Sequence, residues 1–201
     1  MIDVNERAIS ANAFETKLNQ LRLERNHAEV IRLVQARRAQ VPSLAEWEKI
    51  VDLLHLAFAQ RLVGDMAGAN VTAEQAAQHL EPLCKEEPDN PNDKIALALA
   101  DAVLGEKDSA LREAERAIML STRPEDQVPG GAHEEVLALI KTVLGENSSA
   151  ISTLTRLLKT PFGSFIYGPA PVTPAILRLD PFWDPLRADP AFQKLCEGKQ
   201  P

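Results

Sequence analysis

Aromatic residues are scarce in this chain: six Phe, two Trp and one Tyr in 201 residues. Sheet sandwiches rely on aromatic and β-branched strands, so the scarcity points to helices packed through Leu, Ala, Val and Ile. Cysteine is nearly absent. Cys84 and Cys196 lie far apart and outside any CxxC pattern, which removes a disulfide framework and a cysteine zinc site. The two are read as reduced thiols rather than a bridge. Basic residues are outnumbered, 22 Lys and Arg against 29 Asp and Glu, for a net charge of −7. A phosphate backbone needs a basic surface, so nucleic acid is excluded as a partner. No apolar run approaches the roughly 20 residues that span a bilayer. The opening MIDVNERAIS lacks the apolar stretch of a signal peptide. The expectation is a soluble chain without membrane insertion, and a cytoplasmic one.

Catalytic patterns are missing too. His27, His55, His79 and His133 are scattered, and His133-Glu134-Glu135 lacks the second histidine of a zinc-protease helix. These histidines are read as surface groups. There is no GxxxxGK[ST], GxGxxG or GxSxG. Carboxylates such as Glu113, three residues before Arg116, sit at helix-face spacing, where ion pairs are expected. No residue is nominated as catalytic, cofactor-binding or metal-ligating, and the chain is read as a non-enzyme without a cofactor.

Helical grammar is what remains, and it repeats. In Ala96–Leu120, the residues Leu97, Leu104, Leu111, Ala114, Ala117 and Ile118 recur at helical spacing. Gly105 ends the first run, and Asp108 is expected to cap the second. Ala110, Ala114 and Ala117 allow close approach of a partner helix. One unit later Gly145, Ser148, Ala150, Leu154 and Leu157 take the corresponding places.

Four hairpins follow, at about 5–42, 44–88, 92–122 and 132–159. Pro42 ends the first, and Ser43 with Glu46 predicts a capping box for the next helix. The stretch MAGANVT after Gly64 is longer than the other turns. It is read as an insertion, with Thr72 and Gln75 starting the following helix. TRPEDQVPGG is a loop of turn formers, and Phe162 to Pro171, carrying Phe165 and Tyr167, is read as a packed connector in preference to a lid. In the end segment, Thr173-Pro174 predicts a capped start, and Asp-Pro recurs at 180–181, 184–185 and 189–190. Phe182, Trp183, Leu186 and Phe192 are too apolar to remain in water. Residues 161–201 are therefore expected to form a structural cap on the last hairpin of a 1–160 repeat region.

These residues resemble tetratricopeptide repeats. Leu97, Ala98, Gly105, Ala110, Ala114 and Ala117 match the family pattern. Leu137, Ala138, Gly145, Ala150, Leu154 and Leu157 match less fully. Leu56, Ala57, Gly64, Ala76, Leu80, Leu83 and Pro88 match once the insertion is allowed. Val30, Val34 and Pro42 are a fainter echo, with Arg25 in the glycine position. Gln60, Asp101 and Lys141 stand where the family has an aromatic, and the glycines recur about every 40 residues rather than 34. The tail, LxRLDPxWDPLRxDPxFQKL, looks like the end of tetratricopeptide regions in large bacterial kinases, adenylate cyclases and transcriptional regulators.

The resemblance implies an all-α fold, a right-handed α-solenoid of helical hairpins closed by the tail. It also implies a groove lined ten, six and two residues before each turn glycine. Those positions are Leu54, Phe58 and Leu62; Ile95, Leu99 and Val103; and Glu135, Leu139 and Val143. An apolar strip of this kind is an association site, filled by a partner or by the chain itself. The implied role is a scaffold or protein-interaction module of a bacterial signalling protein. Its partner would be a protein, a peptide or the parent protein's catalytic domain. Two alternatives stand beside it. One is a small-molecule sensor or enzyme using an interhelical cavity near Trp47, His55 and Tyr167. The other is a dimerising spacer.

Overall fold

The computed structural model describes residues 11–41, 43–121, 131–159, 162–168 and 172–198. All regular structure among them is helical. Four hairpins come first: α1 (Ala11–Leu23) with α2 (His27–Gln40), α3 (Glu46–Leu62) with α4 (Met66–Glu86), α5 (Pro91–Leu104) with α6 (Lys107–Ser121), and α7 (Gly131–Val143) with α8 (Asn147–Leu157). The tail adds α9 (Pro174–Leu179), a 3-10 turn (Pro181–Leu186) and α10 (Pro190–Cys196). The expected helix start at residues 5–10, the helix end at Pro42, the loop 122–130 and Pro171 lie outside the described residues.

The four hairpin turns are built alike down to the hydrogen bond. Residues 25, 64, 105 and 145 have φ of 60°, 85°, 80° and 78°. Each donates its N–H to the carbonyl three residues back, at 2.9–3.3 Å. The next residue (Asn26, Asp65, Glu106 or Glu146) donates to the carbonyl five back, at 2.8–2.9 Å. This is the Schellman closure, whose left-handed residue is ordinarily glycine because a Cβ is strained there. Arg25 occupies it with a side chain, at a cost of roughly 1–2 kcal/mol.

The repeated turn corrects the reading of MAGANVT, which is not an insertion. α4 begins at Met66, with the Asp65 carboxylate accepting from the Gly68 N–H at 2.9 Å. Thr72 does not cap a helix; its hydroxyl donates to Gln60 Oε1 across the hairpin at 2.8 Å. Ala69, Ala73 and Ala76, each with no exposed surface, hold the places of Ala110, Ala114 and Ala117 in α6. Ala76 is thus the third small position of its unit rather than the first. The extra length of the second unit lies at the far end of α4, which has 21 residues against 15 in α6.

Other starts shift by a residue or more. α3 is preceded by Ala45, whose N–H is accepted by Glu48 at 3.0 Å, so Ser43 and Glu46 do not form the box. Asp108 and Ser148 fall inside the first turns of α6 and α8.

Packing follows chain order. Each helix from α1 to α8 lies against the next, and α3 also meets α1 and α5, while α5 meets α7. One buried cluster runs from α3 into the tail. A second joins Phe14, Leu18, Leu21, Val30, Leu33 and Val34 of the first hairpin to Leu56 and Ala59 of α3. Arg37, at the place of Ala76 and Ala117, stacks 4.7 Å from the Phe14 ring and pairs with Asp52 at 2.7 Å and Glu48 at 2.6 Å. Glu113 pairs with Lys94 at 3.2 Å and Arg116 with Asp89 at 2.7 Å, rather than with each other. Cys84 and Cys196 are free thiols.

The tail packs as a unit. Thr173 accepts from the Ile176 N–H, Asp180 from Phe182 and Asp189 from Ala191, each before a proline in the first helical turn. The Asp184-Pro185 pair starts nothing; it lies inside the 3-10 turn. That turn rests on α7 and α8, and α10 on α8 and α9. Phe182, Trp183, Leu186 and Phe192 are all buried.

Leucine at residue 73 or 110 should overpack the seam and cost about 1–3 kcal/mol in denaturant unfolding. Ala73→Leu tests the corrected register, since a surface insertion would tolerate it without loss.

Candidate functional site: the groove and its occupant

Of the nine nominated groove residues, Leu54, Phe58, Ile95, Leu99, Val103, Glu135 and Leu139 are buried, and Leu62 and Val143 half-buried. The chain's own C-terminal segment supplies part of the cover. The Phe58 and Phe182 rings are 5.2 Å apart, tilted by 60°. The Glu135 carboxylate accepts from Ser164 Oγ at 2.6 Å and from the N–H groups of Phe165 at 3.0 Å and Ile166 at 3.4 Å. Asn19 Nδ2 donates to the Ile166 carbonyl at 3.2 Å. Asn19 stands six residues before Arg25, as Phe58 stands six before Gly64. The tail and its connector therefore touch the nominated Phe58 and Glu135, on the second and fourth hairpins, and Asn19 on the first.

The polar centre of this contact joins α1 to the start of the 3-10 turn. Asp180 is fully buried and Arg22 nearly so. Arg22 Nε donates to Asp180 Oδ2 at 3.2 Å. Its Nη2 lies 3.1 Å from the same oxygen, close enough to pair charges but without hydrogen-bond geometry. The Tyr167 hydroxyl donates to Oδ2 at 2.6 Å and accepts from Trp183 Nε1 at 3.1 Å. The Arg22 guanidinium also lies 4.2 Å from the Phe182 ring and 5.4 Å from that of Tyr167. Further out, Arg25 donates to both oxygens of Asp184, at 2.6 and 2.8 Å. Arg187 pairs with Asp184 as well.

Burial sets the protonation of the neighbouring groups. It raises the Tyr167 phenol well above its ordinary value, with the Asp180 charge adding to the effect. Burial also pushes the Asp184 carboxyl up, but the hydrogen bonds from Arg25 and Arg187 outweigh it and hold the group below its usual value. His55 is pulled down to about 3 by burial, then by Arg22 and Arg37. His27 is lowered by burial and by Arg25. Glu135 is raised to about 7 by burial, against the bonds from Ser164, Ile166 and Phe165 and the charge of Arg22.

Trp47 and His55 border separate spaces. His55 borders a space of about 10 Å³ with Leu18, Arg22, His27, Phe58 and Phe182, barely the room one water needs. Trp47 lines an open cleft of about 480 Å³ with Leu83, Asp93 and the Glu86–Glu87 end of α4. Tyr167 belongs to the Asp180 network. His133 is not a surface residue: it is buried, with Nδ1 2.7 Å from Ser121 Oγ and Nε2 3.3 Å from Asn92 Oδ1. No three His, Cys, Asp or Glu side chains among the described residues are placed to hold a metal ion. No described helix is long and apolar enough to cross a membrane.

Comparison with protein-family models, with curated proteins and with solved structures finds no match. The chemistry of the site therefore rests on its geometry. A folded segment is held by a buried guanidinium–carboxylate pair, an aromatic contact and a carboxylate that grips backbone N–H groups. Sequence reasoning nominated Phe58 and Glu135, placed Arg25 only as a turn residue, and missed Asn19 and Arg22. Asn19 stands six residues before Arg25, so counting from that turn would have found it; no local pattern marks Arg22.

Trp183→Ala should cost about 3–5 kcal/mol, read by denaturant unfolding. Glu135 gives a pH signature. Between its ordinary 4.5 and about 7 the folded chain keeps a proton that the unfolded chain releases, so this group's contribution to stability falls as pH rises through that window. Stability curves of wild type and Glu135→Gln should diverge between pH 4.5 and 7, the variant becoming relatively more stable by on the order of 2–3 kcal/mol. Parallel curves would show that Glu135 is ionised at all those pH values.

Proposed function

We propose that this chain is a non-enzymatic protein- or peptide-binding module. On this reading it is a right-handed solenoid of tetratricopeptide-like hairpins that serves as an assembly or regulatory part of a bacterial signalling protein. The observation that supports the reading is that the chain's own segments lie on residues nominated for the groove. Segments 162–168 and 180–184 touch Phe58 and Glu135, two of the nominated residues, and Asn19 of the first hairpin. A surface that holds one segment through side chains and backbone N–H groups has the chemistry to hold another. The identical turn closures at residues 25, 64, 105 and 145 support the repeat architecture. A partner would enter where the chain's own segment now lies, so binding competes with self-occupation. The space beside His55 gives a metabolite little room, so the sensor alternative is left with the open cleft beside Trp47.

A photo-crosslinking amino acid placed at Leu62 or Val143, the half-buried groove positions, should trap a protein partner in lysate of the source organism. The same probe at the exposed Gln78 on α4 should not. Crosslinks from residue 78 alone, or a strong thermal shift with a nucleotide or metabolite and no crosslink, would refute the reading.

A further inference from the structure

We infer that the surface of the first two hairpins beneath the tail is a receptor for an Asp-x-aromatic-x-Asp segment of a partner protein, and that Asp180, Phe182 and Asp184 occupy it as an internal stand-in. The inference rests on the binding-module reading and specifies the chemistry of the partner.

Alternate residues of the turn address this surface. The Asp180 carboxylate meets Arg22. The Phe182 ring lies between the Arg22 guanidinium at 4.2 Å and the Phe58 ring at 5.2 Å. The Asp184 carboxylate is held by both terminal nitrogens of Arg25. A planar guanidinium reads a carboxylate in two bonds and also stacks on a ring, so this arrangement selects an acid, an aromatic and a second acid at two-residue spacing. In an acidic chain of net charge −7, Arg22 and Arg25 form a cationic spot that complements such a segment.

The stand-in leaves the site unsaturated. Arg22 Nη2 and His27 Nδ1 are buried at this seam without a hydrogen-bond partner. Both residues border the same small space beside Phe182. Buried polar atoms are ordinarily satisfied, so a segment bringing one more acceptor would fit this receptor better than the chain's own. The first hairpin also has its own buried cluster, built from α1, α2 and α3 without tail residues. The tie of the tail to this hairpin is therefore polar and aromatic, through Arg22, Arg25 and Asn19.

The test uses the full chain and a fluorescent synthetic peptide with the sequence of residues 174–190. Asp184→Ala and Phe182→Ala should loosen the stand-in and raise peptide affinity at least tenfold over wild type, read by anisotropy. Adding Arg22→Ala to either variant should abolish that gain. A peptide with asparagine in place of Asp180 and Asp184, its third aspartate (Asp189) kept, should not compete. If Phe182→Ala fails to fold, the half-exposed Asp184 variant carries the test alone. Folded variants that bind the peptide no better than wild type, or bind it equally without Arg22, would overturn the inference. A concentration-dependent dimer of the Asp184→Ala chain in place of peptide uptake would also overturn it, by assigning the site to a second copy. Groove crosslinks at Leu62 and Val143 that persist when the peptide fails would remove the proposed peptide chemistry and leave the binding-module reading standing.

Discussion

The contact on which the arrangement most depends is the ion pair between Arg22 and Asp180, residues 158 positions apart in the chain. Both charges have left water, and the cost of that is several kcal/mol per ion before any attraction is counted. The pair is tolerable because its remaining capacity is largely used. Tyr167 donates to the same carboxylate, the Phe182 N–H to its other oxygen, and Asn19 accepts from Arg22 Nη1. Losing either partner would strand a buried charge, so the pair specifies where the tail must lie more than it adds net stability. A hydrophobic pair of similar volume would hold the two ends together without defining their register.

Around that constraint the fold is a repetition of one local solution. The same Schellman closure ends every first helix, and in α4 and α6 alanines five, nine and twelve residues after it let the second helix return closely. These features were legible because they are local: Gly105 and Gly145 mark a left-handed turn, and the alanines of α6 have no other reason for their spacing. The second unit was misread for a physical reason. Gly68, Asn70, Val71 and Thr72 are weak helix formers, and their run resembles a loop. Yet Asp65 caps the helix in front of them, and Ala69 and Ala73 bury completely against neighbours. Tertiary packing overrode propensity, as it does wherever a helix is held by its buried face. The first unit was legible only as an echo because Arg25 conceals the turn.

The site was half legible. The nominated positions came from the tetratricopeptide resemblance, counted back from the turn glycines, and the apolar character of Leu54, Phe58 and Leu62 showed that something must cover them. What covers them was not readable from local pattern. Asp180 looked like a helix cap, and it is one, accepting from the Phe182 N–H at 2.9 Å. Its second oxygen is the partner of Arg22, and no periodicity relates residue 22 to residue 180. Glu135 stood out as the one charged residue in the apolar strip. Its purpose became clear only with the connector bound above it, where it satisfies the N–H groups of a backbone that has no helix to use them.

The tail is held unequally along its length. At the α7–α8 end Trp183, Leu186 and Phe192 bury almost completely. That attachment is apolar, insensitive to salt and costly to undo. At the first hairpin the contacts are charged and aromatic, and the outer pair, Arg25 with Asp184, is half in water. Exposed pairs of this kind contribute at most about 1 kcal/mol and weaken as salt screens them. Local opening starts where contacts are exposed and few. On the first hairpin that is the Arg25–Asp184 pair, while Asp180, Arg22 and Phe182 beside it are buried. The outer pair should therefore open first, and the tail leaves the first hairpin only when the buried Arg22–Asp180 pair opens too. Because the contacts on the first hairpin are charged and those on the last are apolar, salt should act on the first and not on the second.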